Sequence, residues 1–168
     1  MPNETPSDPG QQLDWLLANG LLKLEITGGV PTWEMSPSPQ HVRASKRITN
    51  SVQPTPGSGC GCFAYEDLYV RFLDGSIKRP DITIFCADIP DSTEALPMIP
   101  EAVVEVVSSG SVYKDYQLNP QFYLAQGVKD VIIFDPASGI ITHYRTTAVT
   151  TLRSPVVIDL LCGCEVRV

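Results

Sequence analysis

The sequence predicts a single α/β domain in which a mixed β-sheet is flanked by helices. Three observations support this. Two short apolar runs rich in β-branched residues, Asp81–Cys86 and Ala102–Val107, have the character of buried central strands. Stretches of clean alternation, such as Leu22–Thr27, have that of half-buried strands. Between them lie segments with helix start and stop residues. At 168 residues the chain suits one domain with one core, since domains run roughly 100–200 residues.

Residues 1–12 contain three prolines and no periodic pattern, which predicts a flexible leader ahead of a domain spanning 13–168. Leu13–Leu17 is apolar enough for one or two helical turns, ended by Gly20. In Leu21–Gly29, Leu22, Leu24 and Ile26 alternate with Lys23, Glu25 and Thr27, so a strand is expected. Gly28-Gly29 then turns the chain into a second strand, Val30–Met35, to make a hairpin. Ser38-Pro39 opens a helix with proline at its first position. This helix carries His41, Arg43, Lys46 and Arg47.

Gln53–Gly61 is a loop by composition, and Asp67–Leu73 alternates as a strand leading to an Asp74-Gly75 turn. The loop Ala87–Pro100 holds three prolines. Asn119–Gln126 is a short helix with Asn119 as N-cap, Pro120 in its first turn and Gly127 as terminator. Val131–Phe134, Ile140–Tyr144 and Val156–Leu161 complete the strands. There is no G-x-G-x-x-G and no G-x-x-x-x-G-K-[ST], so the fold is not marked for nucleotide phosphates.

The formal net charge of −7 opposes nucleic-acid binding unless basic groups are gathered locally. No apolar run approaches the roughly 18 residues of a membrane span, and the N-terminus lacks the pattern of a secretory signal. A cytoplasmic protein is therefore expected. The five cysteines, Cys60, Cys62, Cys86, Cys162 and Cys164, are accordingly expected as free thiols. Cys-Gly-Cys is tighter than the usual spacing of zinc-ligand pairs, so a metal is not expected at them.

Two acids stand out. Glu105 sits inside the apolar run AVVEVV, where a carboxylate costs several kcal/mol unless paired or metal-bound. Asp81 opens a buried strand directly after Pro80. If the strands are neighbours, both acids reach one point, and a divalent cation relieves their repulsion. Oxygen-only ligands favour Mg²⁺ or Mn²⁺. Read singly, Asp81 also serves as a turn or cap residue, and Glu105 as the partner of a base such as Arg79.

The combination Pro80-Asp81 followed by Glu105 in an apolar strand resembles the PD-(D/E)XK nuclease superfamily. More of the chain is similar to its Uma-type restriction endonuclease family. Leu24-Glu25 with Gly28, Met35-Ser36-Pro37 and His41 match the opening of that family. RPDITIF, PEAVVEVVS and KDYQLNPQFYLAQGVKDVIIFDP match its later strands and helix, in register from Leu22 to Pro136. The resemblance implies a restriction-endonuclease-like core and Mg²⁺-dependent cleavage of DNA. Asp81 and Glu105 would hold the metal, and Glu25 would add a third acid.

In one respect the chain departs from the pattern. Where the superfamily lysine usually stands, two residues after the glutamate, there is Val107. Where the Uma-type pattern moves that lysine, there is Asn119, which lacks a positive charge. Asn119 reads equally as an N-cap. Lys114, expected on a loop because Pro120 blocks a helix reaching back to it, is the nearest substitute. Three functions are thus in play: a DNA endonuclease of reduced activity, an inactive binding or assembly module on the same fold, and a metal-dependent phosphohydrolase of small substrates. A two-fold homodimer is expected for a cutter of both strands.

Overall fold

A computed structural model describes residues 6–168 of the chain. Helix α1 (Pro9–Ala18) is capped by Asp8, whose Oδ1 accepts from the Gln11 N–H at 3.0 Å. Pro9–Gln12 are therefore helical rather than part of a leader. The cap and a proline in the first turn start the helix earlier than its apolar residues indicate. Residues 1–5 of the expected leader lie outside the described residues.

Strands β1 (Leu22–Thr27) and β2 (Val30–Met35) form the expected hairpin. Helix α2 (Pro39–Thr49) starts at Ser38, whose Oγ accepts from the His41 N–H. Then come β3 (Gln53–Pro54), β4 (Phe63–Glu66), β5 (Val70–Arg71), β6 (Ile77–Lys78), β7 (Ile82–Phe85) and β8 (Ala102–Val106). A π-helical turn, Lys114–Leu118, runs directly into α3 (Asn119–Ala125). The chain ends with β9 (Asp130–Asp135), β10 (Ile140–Arg145), β11 (Ala148–Arg153), β12 (Val157–Asp159) and β13 (Cys164–Arg167).

The central sheet has six strands in the order β11-β10-β9-β8-β7-β4. Its β8–β9 pair is parallel and its other pairs are antiparallel, so the sheet is mixed. β7 and β8 are buried along their whole length, and β9 along all but its last residue. A four-stranded sheet, β2-β1-β6-β5, and a three-stranded one, β12-β13-β3, complete the fold. Side chains from successive positions of β8 enter two different clusters. Val104 and Val106 pack with Ile48, Ile82 and Val166, while Val103 and Val107 pack with Val70, Tyr123 and Val131. That alternation is what a strand covered on both faces requires.

Several expectations need correction. β5 is shorter than Asp67–Leu73, because Asp67 adopts a positive φ of 55° that interrupts an extended path. The cysteines are not free thiols: Cys60 is bonded to Cys86 and Cys62 to Cys164, leaving Cys162 as the single thiol. The fold brings together residues that are up to 104 positions apart, and composition cannot show this.

The helix before β9 also differs. Asn119 is not an N-cap; it has helical angles and its N–H donates to the Lys114 carbonyl, five residues back. Wider π-type turns leave room for a residue without an N–H. Pro120 is absorbed in this way, and the helical path extends back past Lys114. Lys114 is consequently on a helix and not on a loop.

Candidate active site

β7 and β8 run antiparallel with Ile82 opposite Val104, so the next step of the register sets Asp81 opposite Glu105. Glu105 is 1% exposed. Its Oε2 accepts from the Asp81 N–H at 3.2 Å, while its Oε1 accepts from the Tyr123 hydroxyl at 2.8 Å and from Asn119 Nδ2 at 3.1 Å. The proposed ion pair with Arg79 is absent, because the Arg79 guanidinium lies against Asp67 instead. Asp81 Oδ2 accepts from the Val106 N–H at 2.8 Å and meets His41 Nε2 at 2.9 Å. Its Oδ1 lies 3.5 Å from the Lys23 ammonium.

Burial followed by the charge on Asp81 drives the Glu105 carboxyl up to about 8. Asp81 is also penalised by burial, yet His41 and Lys23 outweigh this and hold it at about 2. One acid of the pair is thus charged and the other resists a second charge, the behaviour of two carboxylates sharing a site. Asp115 nearby is raised to about 6, chiefly by burial.

Glu25 does not join them. It is 1% exposed, with Oε1 accepting from the Arg79 N–H at 2.7 Å and Oε2 from Lys78 at 2.8 Å and Lys114 at 3.1 Å. Burial opposes its charge, but Lys114, Lys78 and Lys23 prevail and hold it at about 2. Lys114 also pairs with Glu34 on β2. Burial lowers its affinity for a proton, and Glu105, Glu25 and Glu34 more than restore it, so it stays charged.

A cavity of about 460 Å³ opens over this cluster. Lys23, His41, Arg79 and Lys114 line it together with Glu34, Asp81, Glu105 and Asp115. Lys23 and Glu34 were not foreseen. Lys23 had a readable signal: it stands two residues before Glu25 in an alternating strand and therefore on the same face. Glu34 is recognisable only once Lys23↔Glu34 are known to be paired across the hairpin. Asp115 stood inside the segment that resembled the family, but the helix was not expected to reach it.

The donor set suits a hard divalent cation. Asp81 and Glu105 offer oxygen alone, and the buried Asn119 Oδ1 beside them has no hydrogen-bond partner.

This mixed sheet flanked by helices has the restriction-endonuclease-like fold. The crystal structure of a putative nuclease belonging to DUF820 from Anabaena variabilis superposes on it with a TM-score of 0.63. That likeness covers 82% of this chain and 80% of the other at 17% identity. The chain belongs to the Uma2 family, described as putative restriction endonuclease, whose profile matches residues 11–160. Among curated proteins none matches it.

Proposed function

We propose that this protein is a DNA endonuclease that hydrolyses phosphodiester bonds with Mg²⁺ or Mn²⁺ held by Asp81 and Glu105. The observation that carries the reading is the placement of these two acids opposite each other, with Asp81 charged and both lining the same cavity. When bound, the cation lowers the pKa of a water and offsets charge on the phosphate.

The remaining roles fall to the chain's own groups. His41 and the Val106 N–H engage Asp81 Oδ2 and leave Oδ1 toward Lys23. Asn119 and Tyr123 orient Glu105 through Oε1. Lys114 brings a positive charge to the cavity, where negative charge builds on a phosphate oxygen. Glu25 acts through Lys114 and Lys78 as a positioning residue, in place of the metal-ligand role the resemblance implies. Arg79, Lys23 and Lys114 supply the local cations that a chain of this net charge needs to admit a DNA backbone. A two-fold dimer would present one such site to each strand, and sedimentation at micromolar concentration would detect it.

The test compares cleavage of plasmid and linear DNA by wild type, Asp81→Ala and Glu105→Ala in Mg²⁺ and in Mn²⁺. Each substitution is expected to lower the rate by ~100-fold or more. Equal rates for all three proteins would sink the assignment. The reading of an inactive binding module is favoured by one feature, the clamping of Lys114 between Glu25 and Glu34. It predicts calorimetric Mg²⁺ binding that depends on Asp81, with no cleavage in either metal.

A further inference from the structure

The five cysteines come from three separate segments, the loop at 60–62, the end of β7 at Cys86, and the turn at 162–164. Their sulfurs nevertheless meet. Those of Cys60, Cys62 and Cys164 lie mutually within 4.8 Å, as do those of Cys60, Cys86 and Cys162. The bonded pairs are not isolated from each other, because Cys60 Sγ is also 3.3 Å from Cys164 Sγ. Cys60, Cys62 and Cys164 are buried. None of this enters the proposed nuclease chemistry, since no cysteine lines the cavity.

The glycine inside each triplet is required by this convergence. A Cβ on Gly61 would stand 2.8 Å from the Cys86 carbonyl oxygen and closer still to the Phe63 ring. Gly163 has φ +91°, a conformation side chains rarely adopt, and a Cβ there would collide with Ser58. Cys62 itself holds a positive φ of 54°, uncommon for a residue with a β-carbon. These features bring the sulfurs of two Cys-Gly-Cys triplets and Cys86 into two adjoining triads that share Cys60.

We propose that this cluster is a thiolate site for a tetrahedral divalent cation of the zinc class, with Cys60, Cys62, Cys86 and Cys164 as ligands. The two bridges are then its oxidised form. Four sulfur ligands select zinc among the common divalent ions. Thiolates about 2.3 Å from such an ion are about 3.8 Å from one another, and the sulfurs of each triad lie within 4.8 Å of one another. The tight Cys-x-Cys spacing ceases to be an objection, because three segments supply the four ligands. Cys162 stands beside the site as the spare thiol.

The conversion balances. An external thiol reductant delivers two electrons and two protons to each of the two bridges. The four resulting thiols release protons as the cation binds, which makes loading dependent on pH. The bound ion would fasten the β12–β13 hairpin to the end of β7. Among the strands of the described residues, that hairpin is otherwise paired with the two residues of β3 alone.

The full-length chain, purified under argon with a phosphine reductant and no chelator, provides the test. Elemental analysis is expected to find about one zinc per chain, as a single four-ligand site requires. Exchange with Co²⁺ should give the intense sulfur-to-cobalt charge-transfer bands of a tetrathiolate. Cys162→Ser should keep the metal and Cys164→Ser should lose it. If Cys164→Ser does not fold, the wild-type cobalt spectrum decides alone. Reduced protein that takes up neither zinc nor cobalt would overturn the proposal. Alkylation in denaturant without added reductant should label all five cysteines of the argon-purified protein; a single labelled cysteine, showing both bridges intact, would equally overturn it. Full zinc retention by folded Cys164→Ser would refute the ligand assignment.

Discussion

Two aspartates in this protein, Asp81 half-buried and Asp130 fully buried, have nearly the same neighbours and opposite prospects. Asp81 meets His41 at 2.9 Å, the Val106 N–H at 2.8 Å and Lys23 at 3.5 Å. Asp130 meets His143 at 2.7 Å, the Leu161 N–H at 2.8 Å and Arg145 at 2.6 Å. Both carboxyls lie below the usual range, where these partners outweigh the penalty of burial. The difference lies in what stands beside them. Asp81 faces a second acid, Glu105, across adjacent strands and lines a cavity. Asp130 is fully buried, does not line that cavity, and ties β10 and the Leu161 turn to the start of β9. A histidine, a cation and a buried aspartate are therefore not enough to mark a site. The second acid and the open volume mark it.

The largest expected effects test this contrast directly. Asp130→Asn withdraws the charge that His143 and Arg145 share, and breaking a buried pair costs about 3 kcal/mol or more. The thermal midpoint should fall by about 10 °C for a chain of this size. Asp81→Asn removes a charge that repels Glu105, so its midpoint should stay within a few degrees of wild type while cleavage falls ~100-fold. Calorimetry beside a nuclease assay would read both. A collapse of Asp81→Asn with an unaffected Asp130→Asn would reverse the roles.

Next in size is the response to acid. Glu25 is held at about 2 although burial alone would raise it, because Lys114 and Lys78 favour its charged form. Its folded pKa is therefore below its unfolded value, roughly 4.3. The unfolded chain binds the proton first, so stability from this group is complete above the unfolded pKa and drains away as pH falls toward 2. On the order of 3 kcal/mol is involved over that window. Glu25→Gln should be less stable than wild type at pH 7, with the gap closing between about pH 5 and pH 2. Urea unfolding at intervals across that range is the measurement, and a gap independent of pH would show that Glu25 is not the group that titrates.

How much of this was legible in sequence depended on whether a residue broke its local pattern. Glu105 in AVVEVV and Asp81 after Pro80 did so, and the neighbouring strands they imply are β7 and β8. Glu25 was visible as an acid, but the two lysines that occupy it come from residues 78 and 114, and no local rule predicts that meeting. The cysteines failed for a related reason. Cysteine is equally at home in an apolar core and in a cross-link, so five of them announce nothing until the chain is folded. The helix at Lys114 was misread because Pro120 normally ends a helical path, and the π-helical turn that accommodates it has no sequence signature of its own.

Lys114 and Asn119 supply the sharpest test of which cation serves the acid pair. Lys114 carries charge into the cavity, held by Glu25 at 3.1 Å and by Glu34. Lys114→Ala is expected to slow cleavage ~100-fold if it offsets charge on the phosphate. Asn119 lies on the same helical path, 1% exposed, with its amide given to Glu105 at 3.1 Å and to Asp115 at 3.4 Å. An amide orients those acids but adds no charge. In Asn119→Lys an ammonium would stand between Glu105 and Asp115, two acids whose pKa values burial raises above all and which a further cation would draw back down. A gain of ~10-fold in cleavage is expected, with a general acid or base in place worth ~100-fold at least and part of that lost to the tighter fit of a longer side chain. The double variant discriminates further. If Asn119→Lys restores activity to Lys114→Ala, the two positions supply the same charge by alternative routes. If it restores none, Lys114 acts from a place that a residue at 119 cannot reach, and the departure from the family's lysine pattern is a relocation of the cation within one helix.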